Sequence, residues 1–126
     1  MKINVTLKDR HYKFLDQIVK DFSFSETEQV ILSLIKYSFT KGDNDAIFGE
    51  MRCIGDCDGV WKDPDEKNTE PGIIIDLEEE SVEKLKNIFL EFDFWDYDSE
   101  NAELSKVIRT MINYAQEDGE LKDIFG

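Results

Sequence analysis

The sequence predicts an α+β protein that is mostly helical and contains two strand–helix–helix (βαα) units. Two observations predict this class. Short stretches in which apolar and polar residues alternate are followed by stretches with apolar residues at helical spacing, and this order occurs twice. With 126 residues, of which 40% are hydrophobic, the chain can bury one core. We therefore expect one compact domain.

The strand of each unit is predicted from its alternating residues. INVTL (Ile3–Leu7) alternates apolar and polar side chains, which is typical of a strand with one buried face. IIIDL (Ile73–Leu77) repeats the same apolar positions at an offset of 70 residues. We expect these two strands to pair with each other and to cover a shared core, formed by Leu15, Ile18, Leu34 and Ile35 with Leu85, Ile88, Met111 and Ile112.

The two helices of each unit also match at constant offsets. The first helix keeps the offset of 70 and has its apolar residues on one face, whereas the second helix has an offset of 77. The matched residues are Leu15, Ile18, Val19 and Phe22 with Leu85, Ile88, Phe89 and Phe92, and Glu26, Val30, Ile31, Ile35 and Tyr37 with Glu103, Val107, Ile108, Ile112 and Tyr114.

Signals for helix ends complete the repeat. Ser25 and Glu28 have the spacing of a capping box, and Gly42 and Gly119 are expected to terminate the second helices. Both units then end in the sequence IFG. We therefore divide the chain into a first βαα repeat (1–49), a linker (50–70) and a second βαα repeat (71–126).

The change of offset from 70 to 77 places seven extra residues between the two helices of the second repeat. We expect an inserted turn at about 93–101, within which aromatic and acidic residues alternate. Trp and Tyr are rare in disordered segments, so two interpretations remain open: a loop that contacts a partner, or a loop packed on its own core. The partner-contacting residues of the first interpretation are Asp93, Phe94, Trp95, Asp96, Tyr97, Asp98 and Glu100.

The stretch INVTLKDRHYKFLDQIVKDFSFSETEQVILSLIKY resembles the ribbon-helix-helix family, of the methionine-repressor and Arc type. The second repeat resembles it less closely because of its inserted turn. The resemblance implies that two units pair their strands antiparallel and enclose a core with four helices, so that this chain would form an intrachain pseudo-dimer. It also implies that the outward side chains of the first strand would enter the major groove of DNA. Those side chains are Lys2, Asn4, Thr6 and Lys8.

The charge of the chain opposes direct binding to DNA. The net charge is −14, and it is divided unevenly, with +2 on residues 1–41 and −10 on residues 73–126. On the second strand, Asp76 and Glu78 take the places of Thr6 and Lys8, so DNA phosphates would meet carboxylates. Direct nucleic-acid binding by the intact protein is therefore not expected, although an acidic surface also serves solubility alone.

An acidic surface can instead occupy a basic groove that normally holds nucleic acid. We therefore expect a non-catalytic protein that binds and inhibits a nuclease or nucleoprotein complex by mimicking nucleic-acid charge, with Asp76 and Glu78 among its contacts. Phage-encoded anti-CRISPR and anti-restriction inhibitors, and immunity proteins against nuclease toxins, are similar in size and charge. The alternative is a ribbon-helix-helix transcriptional regulator or antitoxin in which the first-repeat strands of two chains pair. The protein would be a monomer or a homodimer.

No motif predicts an enzyme, a metal site or a cofactor. The chain has no Gly-rich phosphate loop and no nucleophile elbow, and its one histidine, His11, is expected at the surface or as a helix cap. Cys53 and Cys57 are expected to be reduced thiols, because tetrahedral zinc takes four ligands. The DCDG segment (56–59) lacks the remaining ligands of an EF-hand loop.

Long apolar runs are also missing from the sequence. The chain has no run of 18 apolar residues, and its first residues lack the apolar segment of a signal peptide. We therefore expect a cytoplasmic protein without membrane contact, in the host cytoplasm if a phage encodes it.

Overall fold

The computed structural model describes residues 1–48, 68–92, 100–117 and 120–126. The described chain is mostly helical with one two-stranded antiparallel sheet, which confirms the predicted class. Its elements are β1 (Lys2–Lys8), α1 (Asp9–Phe22), α2 (Thr27–Lys41), α3 (Asn44–Phe48), β2 (Asn68–Asp76), α4 (Glu79–Phe92), α5 (Glu100–Glu117) and α6 (Leu121–Phe125).

The two predicted strands pair within the chain, as expected. Asn4 lies opposite Ile74, and Ile3 lies opposite Ile75. Because Asn4 and Ile74 are equivalent at the offset of 70, the register is centred on matching positions of the two repeats. β2 begins at Asn68, so three residues assigned to the linker belong to this strand.

The pairing is interrupted by a bulge on β2. Val5 pairs with Ile73 and Leu7 pairs with Thr69, so one residue of β1 lies opposite three residues of β2. Gly72 belongs to this bulge, and a Cβ atom there would collide with the carbonyl oxygen of Val5. The close approach of the two backbones therefore requires glycine.

Helix lengths reproduce the sequence repeat. α1 and α4 contain 14 residues each and are offset by 70, and α3 and α6 contain five residues each and are offset by 77. α5 differs from α2, because it has 18 residues rather than 15 and begins at Glu100. Glu100 and Asn101, which the sequence assigned to the inserted turn, therefore lie in a helix.

The ends of α2 match one prediction and contradict another. Gly42 adopts φ +68° and its N–H donates to the Ser38 carbonyl, so it terminates α2 as expected. The capping box is wrong: Glu26 is the N-cap residue and makes no side-chain cap bond. Gln29 instead accepts a hydrogen bond from the Ser25 N–H at 2.9 Å. Gly119 lies outside the described residues.

A single core lies between the helices and the inner face of the sheet. α5 is central to it, since every residue from Leu104 to Ile112 is buried, whereas α2 buries only one face. The predicted core residues are all buried; they are Leu15, Ile18, Ile31, Leu34, Ile35, Leu85, Ile88, Ile108, Met111 and Ile112.

The short helices close the two ends of the core with aromatic contacts. Phe125 of α6 lies 5.8 Å from Phe22 of α1 between ring centroids. Phe48 of α3 lies 6.0 Å from Phe92 of α4. Each short helix thus contacts the first helix of the other repeat. Within the described ranges, no helix is long and apolar enough to cross a membrane.

Candidate functional site

The outward face of the ribbon, formed by β1 and β2, carries both sets of side chains that the sequence singled out. Lys2, Asn4 and Thr6 come from β1, and Asp76 comes from β2, directly opposite Lys2. Between them, Ile74 is 59% exposed. Among the side chains that the structure describes, the outward face therefore presents Lys2, Asp76 and the exposed Ile74, and the carboxylate opposite Lys2 weakens its attraction for DNA phosphates.

The outer edge of β1 is bound by side chains of α5. The Asn101 side chain accepts a hydrogen bond from the Asn4 N–H at 3.0 Å and donates to the Asn4 carbonyl at 2.6 Å. Ser105 Oγ accepts from the Thr6 N–H at 3.2 Å. Arg109 Nη1 donates to the Thr6 carbonyl at 2.8 Å and to the Thr6 hydroxyl at 3.0 Å. The backbone groups that Asn4 and Thr6 turn away from β2 are thus satisfied within the chain.

These polar residues form a stripe on α5, because positions 101, 105, 109 and 113 follow one another at one helical turn. The fourth residue, Asn113, lies 2.9 Å from His11 Nε2 through its Oδ1. His11 is fully buried, so its expected surface position is wrong. The stripe was not predicted from the sequence, because α5 also carries other polar residues, among them Glu103, Lys106 and Thr110.

Two carboxylates predicted to contact a partner lie where β2 ends and α4 begins. Asp76 and Glu78 are exposed. The terminal ammonium of Met1 lies 3.1 Å from Asp76 Oδ1 and donates to the Leu77 carbonyl at 2.7 Å. The two side chains of this ion pair are 46% and 68% exposed, so its contribution to stability is small.

The start of α4 extends this acidic surface. Glu79 and Glu80 occupy its first turn and Glu83 follows, and all three are exposed. The amide groups at a helix N-terminus stabilise nearby negative charge, which favours this concentration of carboxylates. The acidic end, defined as Asp76, Glu78, Glu79, Glu80 and Glu83, is therefore a cluster of exposed carboxylates, in which Asp76 pairs with the Met1 ammonium and Glu80 with Lys84 at 3.8 Å.

A cleft of about 290 Å³ opens beside the acidic end, between α2 and the β2–α4 turn. Leu32, Ile35, Phe39 and Leu77 give it an apolar lining. Asp76 and Glu78 stand on one side, with Lys36, Thr40 and Ser81 supplying the other polar groups. The cleft therefore combines an apolar floor with carboxylates at its rim, a combination that suits a side chain with an apolar stem and a cationic end.

The remaining predicted residues are only partly described. Asp93, Phe94, Trp95, Asp96, Tyr97 and Asp98 lie outside the described residues, as do Cys53, Cys57 and the DCDG segment. Lys8 ends β1 and Glu100 begins α5. Among the residues that are described, no group of three His, Cys, Asp or Glu side chains could hold a metal ion.

No known protein family, curated protein or solved structure matches this chain.

Proposed function

We propose that the two repeats form a ribbon-helix-helix-like pseudo-dimer within one chain. The strand register supports this, because a two-fold relation between the repeats requires equivalent residues, here Asn4 and Ile74, to face each other. The aromatic contacts support it too. Phe22–Phe125 and Phe92–Phe48 are equivalent pairs under the two sequence offsets, with similar centroid distances of 5.8 and 6.0 Å.

Two equivalent hydrogen bonds between a helix and a strand also support the two-fold relation between the repeats. Ser105 on α5 accepts from the Thr6 N–H at 3.2 Å. The equivalent residues are Glu28 on α2 and Asp76 on β2, and Glu28 Oε1 accepts from the Asp76 N–H at 3.4 Å. Each second helix thus contacts the outer edge of the strand of the other repeat.

On this scaffold, we infer a non-catalytic protein that blocks the basic groove of a nucleic-acid-handling partner in the cytoplasm. The observation that carries the proposal is the acidic end, which stands where a DNA-reading ribbon would present cations. Its carboxylates imitate phosphate and accelerate association with a basic surface. Ile74, 59% exposed beside Asp76, supplies apolar contact that electrostatics alone does not give.

A nuclease or nucleoprotein complex is the partner class that best fits this chemistry. Such a partner holds nucleic acid in a positively charged groove, and a protein of net charge −14 competes for it. The proposed activity is therefore of the anti-CRISPR, anti-restriction or nuclease-immunity type. This assignment rests on charge and surface chemistry rather than on a relative.

The alternative, a DNA-binding regulator or antitoxin, needs the β1 strands of two chains to pair. Both edges of β1 are occupied, one by β2 and the other by Asn101, Ser105 and Arg109. The Thr6 hydroxyl, one of the predicted base-reading groups, is bonded to Arg109. Pairing between chains would therefore require breaking these contacts, which favours the inhibitor over the regulator.

A competition assay tests the proposal. The protein is used to capture its partner from the cells in which it acts, and the partner is loaded with labelled nucleic acid. We expect the free protein to release the label. The double variant Asp76→Lys, Glu78→Lys should release much less. Its matched control is Asp16→Lys, Asp123→Lys, which changes the net charge equally at exposed residues away from the acidic end. Equal loss of release in both variants would contradict a local contact at the acidic end.

A further inference from the structure

The cleft lies between α2 and the β2–α4 turn. The equivalent place, between α5 and β1, is filled by side chains. The sequence offsets make Thr6 the equivalent of Asp76 and Arg109 the equivalent of Leu32. At Thr6, the guanidinium of Arg109 donates to the backbone carbonyl and to the side-chain oxygen, at 2.8 and 3.0 Å. At Asp76, the equivalent helix position holds Leu32, which has no donor.

Two further pairs of equivalent positions hold different residues, and these differences leave the cleft open. Where the second repeat has Asn113, the first has Lys36, and where α1 has the buried His11, α4 has Ser81. His11 of α1 and Asn113 of α5 are in contact at 2.9 Å, and Asn113 follows Arg109 by one helical turn on the stripe. Lys36 and Ser81 instead line the cavity of about 290 Å³. The cleft between α2 and the β2–α4 turn thus lacks the side chains that fill the equivalent place between α5 and the first repeat's β1 and α1.

Acceptors for a guanidinium remain on the strand. The backbone of Asn4 and Thr6 points to the outer edge of β1, and alternation along an antiparallel pair directs the backbone of Ile74 and Asp76 to the outer edge of β2. The hydrogen bond from the Asp76 N–H to Glu28 agrees with this direction. The Asp76 carbonyl shares that edge, and its carboxylate is 68% exposed.

We propose that an arginine side chain of the basic partner fills this cleft, in the position that Arg109 occupies in the other repeat. The inference rests on the proposed function and names its central contact. The guanidinium would donate to the carbonyl and carboxylate of Asp76, and its aliphatic stem would pack on Leu32 and Leu77. Glu78 adds attraction, and the exposed pair with the Met1 ammonium is weak enough to be displaced. Lysine fits less well, because a point charge cannot bond both acceptors in a fixed fork.

The test uses a blocked peptide, acetyl-Ala-Arg-Ala-amide, titrated into the ¹⁵N-labelled protein and followed by backbone NMR. We expect saturable shifts at the amides of Leu32, Asp76 and Leu77. The peptide with citrulline in place of arginine has the same shape without the charge, and it should bind at least about fivefold more weakly. Shifts that do not saturate, or that are equal for citrulline, would overturn the inference.

Two pairs of variants locate the binding. Leu32→Arg supplies the missing guanidinium from within the chain and should abolish the peptide shifts, whereas Leu90→Arg adds the same charge at a residue that is 70% exposed on α4 and should not. Asp76→Asn should weaken binding at least about fivefold, whereas Asp16→Asn, which removes the same charge elsewhere, should not. If Leu32→Arg does not fold, the second pair decides. Unchanged binding in Asp76→Asn contradicts the proposed contact.

The two proposals fail separately. If the protein releases nucleic acid from its partner and Leu32→Arg does so equally well, the arginine contact is wrong and the proposed function stands. If no partner loses its nucleic acid but the arginine peptide still binds at the cleft, the proposed function is wrong and the cleft still binds arginine.

Discussion

The side chain of Asn101 is hydrogen-bonded to the backbone of Asn4 as a neighbouring strand would be. Its amide nitrogen donates to the Asn4 carbonyl at 2.6 Å, and its oxygen accepts from the Asn4 N–H at 3.0 Å. Asn101 belongs to the turn by which α5 exceeds α2. This turn covers the outer edge of β1 at Asn4. An open strand edge is a template for pairing with another chain, so the cover opposes the addition of a third strand.

Asn101→Ala should destabilise the protein by about 1–3 kcal/mol, because both backbone groups of Asn4 lose a partner at a half-buried edge. Urea unfolding followed by circular dichroism measures the change. Asn87→Ala is the matched control, since Asn87 is also helical but exposed, and it should leave the free energy of unfolding nearly unchanged. Equal effects of the two substitutions would contradict a structural role for the Asn101–Asn4 pair.

Ile31→Ala and Ile108→Ala should each cost roughly 2–5 kcal/mol of stability, because both side chains are fully buried and truncation leaves a cavity. These residues occupy equivalent positions on α2 and α5, within one shared core. We therefore expect the wild type and both variants to unfold in one cooperative transition. Leu90→Ala, at a residue that is 70% exposed, serves as the control and should cost little. Two separate transitions would show that the repeats have independent cores.

The intact protein should bind no DNA duplex sequence-specifically at physiological salt. Asp76 faces Lys2 across the ribbon, and the Thr6 hydroxyl is hydrogen-bonded to Arg109, so these residues offer DNA little attraction. Gel-shift and footprinting experiments over a library of duplexes measure this. A nanomolar site would overturn the proposed inhibitor and support the regulator.

Trp95→Ala combined with Tyr97→Ala should weaken partner binding by at least about 2 kcal/mol and leave the melting temperature nearly unchanged, as aromatic hot-spot residues do. These residues lie outside the described ranges, so thermal melts run beside the binding assay are required. A large fall in melting temperature without a specific loss of binding would show that the segment packs on its own core.

Neutralising Asp96 and Asp98 as Asn should mainly slow association with the partner. Exposed charges accelerate encounter with a basic surface, and salt screens them over about 8 Å at physiological ionic strength. Stopped-flow association rates, measured over a range of salt concentrations, should converge for the wild type and the double variant as salt rises. A change confined to the dissociation rate would contradict this electrostatic role.

The sequence alone determined the two strands, the four longer helices and the core, because these depend on local periodicity, whereas the short helices α3 and α6 were not predicted. Alternation in Ile3–Leu7 and Ile73–Leu77 predicted the strands, and the matched apolar positions predicted which helical faces are buried. The offsets of 70 and 77 also predicted two repeats, and the pairs α1/α4 and α3/α6 have equal lengths at those offsets. Gly42 ended α2 as expected because a left-handed residue is required at that point by the backbone itself.

Only the tertiary structure decided which polar side chains satisfy which backbone groups. Asn101, Ser105 and Arg109 bind β1 across about 100 positions of sequence, and Glu28 leaves its expected cap to accept from Asp76 of β2. The buried position of His11 depends in the same way on Asn113. Such contacts leave no local pattern, because a polar residue in a helix has the same sequence appearance whether it faces water or the unsatisfied edge of a distant strand.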